Sequence, residues 1–126
     1  MAIVNKQIVD LLTGDPNTTF RTTMLTVPSG EEWAITNIMV CNTFDPAGTN
    51  PEQEDCVFDL HLVSNDSSFG VSTMVVRRLN LPAGETFTFD TEKIVLVGGD
   101  AVIIDGSQST NNNENLSCTV SYIKVL

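Results

Sequence analysis

Leu81-Pro82-Ala83-Gly84-Glu85-Thr86-Phe87-Thr88-Phe89-Asp90 reads as the end of one strand, a tight turn, and a new strand with Phe87 and Phe89 on one face. Proline sets φ where the chain begins to bend, and glycine supplies the backbone conformation that a sharp corner needs. The same phrase stands earlier as Val27-Pro28-Ser29-Gly30-Glu31-Glu32-Trp33-Ala34-Ile35. A looser copy follows as Leu96-Val97-Gly98-Gly99-Asp100-Ala101-Val102-Ile103-Ile104. Each is a strand end, a glycine turn, an acidic residue and a further strand. A chain assembled from such corners is a series of short strands folded into a sandwich.

The flanking segments fit this plan. Thr18 to Val27 is threonine-rich and has high β propensity. Trp33 to Cys41 is apolar on both faces, which marks a central or covered strand. Cys56 to Ser64 alternates, with Cys56, Phe58, Leu60 and Leu62 on one side and Val57, Asp59, His61 and Val63 on the other. Val71 to Leu81, Ile94 to Val97, Ala101 to Asp105 and Leu116 to Leu126 complete the set. Residues 42–55, with Asp45-Pro46-Ala47-Gly48 and Asn50-Pro51-Glu52, form one long irregular loop, and residues 106–115 form a polar tip. About eight strands and no internal helix predict a single all-β domain over residues 1–126. It is an antiparallel β-sandwich, for which a jelly roll is a fitting form. Ahead of it, at about residues 1–14, lies a short apolar leader carrying Ile3, Val4, Ile8, Val9, Leu11 and Leu12, broken by Gly14-Asp15-Pro16-Asn17. It reads either as an edge strand of the sandwich or as an arm that packs on a neighbouring subunit.

Composition excludes several function classes. Six Lys and Arg against sixteen Asp and Glu give a formal charge of −10. Such a chain is unsuited to nucleic acid or an anionic membrane, both of which must be met by cations. No signal peptide is evident and no apolar run has the length of a membrane span. Three cysteines, Cys41, Cys56 and Cys118, are an odd number at unrelated spacings. Buried thiols are the expectation, with a Cys41–Cys56 bridge between neighbouring strands as the alternative.

Catalytic motifs are equally sparse. His61 is the sole histidine, too few for a multi-histidine metal centre of the cupin kind. No Gly-x-Ser-x-Gly elbow accompanies it. Asp59 and His61 share a strand face, where a partly exposed surface pair is the expectation. The loop acids Asp45, Glu52, Glu54 and Asp55 do not follow the spacing of an EF-hand. Trp33 and Tyr122, the only Trp and Tyr, lie within apolar strands, where core packing is expected rather than an exposed sugar platform. The reading is a non-enzymatic protein with no cofactor and no metal.

The pattern Thr26-Val27-Pro28-Ser29-Gly30, Ile35-Thr36-Asn37-Ile38, Cys41-Asn42, then Leu79-Asn80-Leu81-Pro82-Ala83-Gly84-Glu85-Thr86 and Leu96-Val97-Gly98-Gly99-Asp100 resembles small virion proteins of tailed bacteriophages. These decorate heads or sit on tails and fibres. The resemblance covers roughly residues 18–105 and implies a capsid decoration, or cement, protein that is made in the host cytoplasm and resides in the virion. The implied partners are further copies of itself, as a symmetric oligomer such as a homotrimer, and a major capsid or tail protein. The leader residues Ile3, Val4, Ile8, Val9, Leu11 and Leu12 are the expected contact. The alternatives are a tail, neck or fibre component with a carbohydrate-binding tip built from loops 42–55 and 106–115, and a stand-alone carbohydrate-binding module.

Overall fold

The computed structural model describes residues 2–8, 19–49, 55–65, 68–89, 94–107 and 116–125. Among the described residues nine strands follow in order: β1 (Ala2–Ile8), β2 (Thr19–Thr26), β3 (Glu32–Asn42), β4 (Cys56–Val63), β5 (Met74–Leu81), β6 (Thr86–Phe89), β7 (Ile94–Val97), β8 (Ala101–Ser107) and β9 (Leu116–Lys124). One 3-10 turn, Val71–Thr73, precedes β5. The first sheet has the order β1-β9-β3-β6, with β7 also paired to β3, and the second has the order β2-β8-β4-β5. All pairings are antiparallel. The fold is therefore an all-β sandwich. No helix among the described residues is long and apolar enough to cross a membrane.

The three repeated phrases are the corners at which the chain crosses between sheets. In each, the residue after the glycine donates its N–H to a carbonyl three residues back. Glu31 donates to Pro28 at 3.1 Å, Glu85 to Pro82 at 3.1 Å, and Asp100 to Val97 at 2.9 Å. The glycine at the third position has φ of 83° at Gly30, 78° at Gly84 and 91° at Gly99. That is the positive φ that a type II turn demands there. Two of the corners also bind each other: Val27 N–H donates to the Asp100 carbonyl, and Gly99 N–H to the Val27 carbonyl.

β3 is central, as its two apolar faces predict, and the structure explains the pattern. Its inward residues are Ile35, then Ile38, Val40 and Asn42, so the alternation changes phase midway. The cause is a bulge between Ile35 and Asn37 against β9. An extra residue in one strand moves every later side chain to the other face. Thr36 sits in the bulge and its hydroxyl donates to the Ser121 carbonyl at 3.1 Å.

The core lies between the sheets and includes Phe58, Leu60, Val102 and Ile104 from one and Ile38, Val40, Leu116 and Val120 from the other. Trp33 and Tyr122 stack at 3.9 Å with planes 3° apart and pack against this core. Trp33 Nε1 donates to Glu31 Oε1 at 2.9 Å, and Lys124 Nζ lies 3.6 Å from the same oxygen. Each ring thus covers a face of the other, consistent with packing rather than with a pair of open platforms. Cys41, Cys56 and Cys118 are all thiols. The bridge considered between Cys41 and Cys56 is not formed: β3 and β4 are not neighbouring strands, and Cys41 lies on the outer side of β3, between the inward Val40 and Asn42, whereas Cys56 is buried in the core.

Candidate functional site

The leader divides. Ile3, Val4 and Ile8 lie in β1, opposite Ser121, Val120 and Leu116 of β9. Residues 2–8 therefore take the edge-strand alternative. Val9, Leu11 and Leu12 lie outside the described residues. Val120 and Leu116 are fully buried.

Across β7, β3 and β9 lies an apolar patch that the sequence pattern does not announce. Val95 and Val97 of β7 and Ile123 and Val125 at the end of β9 are 45–56% exposed. Ala34 pairs with both Val95 and Ile123, which places these three in one row across β7, β3 and β9. Glu32 pairs with Val97 and accepts the Val125 N–H at its carbonyl, giving a second row. Ile3 lies opposite Ser121, diagonal to Ile123. The only cue in the sequence was apolar residues at both parities in β7 and β9, which a two-sided strand also explains.

On the outer face of the second sheet, Asp59 and His61 of β4 meet Asp105 of β8. Asp59 and Asp105 are direct cross-strand partners. One ligand atom from each of Asp59, His61 and Asp105 lies within 4.8 Å of the others. The expectation of a partly exposed surface pair is overturned: His61 is 0% exposed and Asp59 5%. The segment after β4 folds back over this face. Phe69 stacks on the His61 ring at 4.0 Å, and Thr73 contacts its Nδ1 at 2.7 Å. Long-range folding of residues 68–73 over the sheet could not be read from the alternation of β4 alone.

Hydrogen bonding orients the cluster. The Thr73 hydroxyl donates its one proton to the Gly70 carbonyl at 2.8 Å and accepts from Gly70 N–H at 3.3 Å. Its remaining lone pair must therefore accept from His61, which makes Nδ1 the protonated ring nitrogen. In the neutral ring, Nε2 then carries the lone pair. Asp59 Oδ1 accepts the backbone N–H of Arg78. Arg78 has φ of 48° and lies where the β4–β5 register slips between Phe58 and Leu60. The carboxylate thus secures a left-handed residue in a bulge. Two ionised carboxylates this close repel by roughly 3 kcal/mol at an effective dielectric of about 20, so the site calls for positive charge. Arg21 pairs with Asp105 in register from β2.

No protein-family model, curated protein or solved structure matches the chain.

Proposed function

We propose that the protein is a non-catalytic virion component, a capsid decoration protein that binds copies of itself and a particle surface through the outer face of its first sheet. The observation that carries this is the apolar patch Val95, Val97, Ile123 and Val125 on a chain of net charge −10. Such an acidic surface favours solubility, so an apolar stripe on a sheet face marks a place of contact. Burying the exposed halves of four aliphatic side chains contributes about 4 kcal/mol per copy before association costs. Among the described residues β1 ends the strand order of this sheet, a position suited to strand pairing with a neighbour. The strand order also supports reading the sandwich as a jelly roll, an architecture of capsid and lectin domains alike.

The test is light scattering on a sizing column at two concentrations, for the wild type and the Val95→Asp, Ile123→Asp double variant. Both substitutions are at exposed positions, so circular dichroism should be unchanged. The expected result is a wild-type oligomer, with a trimer the favoured state, and a monomeric variant. Removing residues 1–12 is a poorer test, because it strips β1 from β9. A wild type that stays monomeric and binds a glycan through loops 42–55 or 106–115 would replace this reading with a sugar-binding one.

A further inference from the structure

The geometry points to a binding site for one first-row divalent cation at Asp59, His61 and Asp105, on the face of the sandwich opposite the apolar patch. Three observations converge. The donor atoms are already gathered, within 4.8 Å of one another, before any ion is added. A shift of under 2 Å per group brings them to the 2.0–2.2 Å bonds that Zn²⁺ makes with imidazole nitrogen and carboxylate oxygen. Secondly, the histidine is prepared for the task. Its Nδ1–H is committed to Thr73 and its ring is clamped by Phe69, so the lone pair is directed through Nε2. Metal-ligating histidines are held in this way, by a hydrogen bond at the other ring nitrogen that sets the tautomer. Thirdly, the charge fits. His61 Nε2 and Asp105 Oδ1 are both buried, and two carboxylates paired directly across strands are mutually repulsive. A dication held between them offsets that repulsion.

One nitrogen and two carboxylate oxygens suit Zn²⁺ or Mn²⁺ better than Ca²⁺, which takes an oxygen-only shell of six or more ligands. Water would complete the coordination on the side of Asp105, which is the less buried of the two acids. The role is structural: the ion would tie β4 to β8 and fix the segment 68–73 over the sheet.

The experiment uses the full chain, stripped with EDTA and titrated with ZnCl2 and, separately, MnCl2. His61 is the only histidine, so nitrogen-15 NMR reports on it without ambiguity. Saturation near one Zn²⁺ per chain is expected. The Nε2 resonance should move strongly and the Nδ1 resonance little, with Zn²⁺ binding at least tenfold tighter than Mn²⁺. Asp105→Asn should weaken Zn²⁺ binding at least tenfold, and this half-buried position keeps the fold intact by circular dichroism. His61→Gln provides a second variant with the same expected loss. Zn²⁺ binding that leaves Nε2 unmoved, or that survives both substitutions, would place the ion on the acidic surface and overturn the assignment. So would the absence of any Nε2 change at millimolar Zn²⁺, which would leave the neighbouring arginines or a protonated His61 as the counter-charge.

Discussion

Asn42→Ala should destabilise the protein far more than truncation of the exposed Asn80. Asn42 ends β3, is fully buried, and locks the corner that leads from β5 to β6. Its side-chain Nδ2 donates to the Leu81 carbonyl at 2.9 Å, and its Oδ1 accepts from Phe44 N–H at 2.9 Å. Its main chain completes the tie, donating to the Glu85 carbonyl and accepting from Gly84 N–H, each at 3.0 Å. Alanine keeps the main-chain bonds and removes both side-chain ones. A carbonyl and an amide are left at a site that a methyl group cannot satisfy and water reaches poorly. Each such group costs about 1–2 kcal/mol, so the loss is about 3 kcal/mol. For a domain of this size that corresponds to a fall of roughly 10 °C in Tm. Asn80→Ala is the matched control, since Asn80 Nδ2 donates to Asp55 Oδ2 at 3.0 Å in an exposed position. Its loss should stay within about 0.5 kcal/mol. Urea unfolding followed by the fluorescence of Trp33, the single tryptophan, measures both variants. Equal midpoints for the two would refute the reasoning, because they would mean that burial of the Asn42 hydrogen bonds does not matter.

Three further outcomes follow from the same geometry. Gly30→Ala should cost about 1 kcal/mol from positive φ alone, since nothing lies within 4 Å of the added Cβ, whereas Gly84→Ala should cost more because that Cβ would lie 2.8 Å from Pro46 Cγ; thermal melts of the pair give the order. Burial pushes the Cys118 thiol from its usual 9.0 up to about 12. The folded state therefore holds a proton that the unfolded chain releases. This contribution is complete below pH 9 and is lost as pH rises toward 12, by up to about 4 kcal/mol. Comparing urea midpoints at pH 8 and 10.5 for wild type and Cys118→Ala isolates it, and a wild-type slope no steeper than the variant's would count against it. In native protein, iodoacetamide should modify the half-buried Cys41 well ahead of Cys118, as mass spectrometry of the peptides would show.

Much of the fold was legible because it rests on local rules. Gly30, Gly84 and Gly99 announce corners whose chemistry is the same wherever they occur, and the alternation from Cys56 to Leu62 gives the core side of β4 outright. The phase change in β3 was visible only as an ambiguity, since a strand with a bulge and a strand apolar on both sides look alike in sequence. The leader was left with two alternatives because an edge strand and an arm share the same apolar content, and its pairing with β9 joins opposite ends of the chain. The candidate sites were less legible still. His61 and Asp59 were seen as a pair on one face, but Asp105 is more than forty positions away, and only sheet register brings it opposite Asp59. Burial of that face depends on Phe69 and Thr73 folding back over it, and the apolar patch on the alignment of β7, β3 and β9 in one row. Sequence by itself determined the strands and corners, because turn chemistry and side-chain alternation act over a few residues. Tertiary structure alone decided which strands are neighbours, and hence which charges meet and which valines face outward, because register is set by contacts between residues distant along the chain.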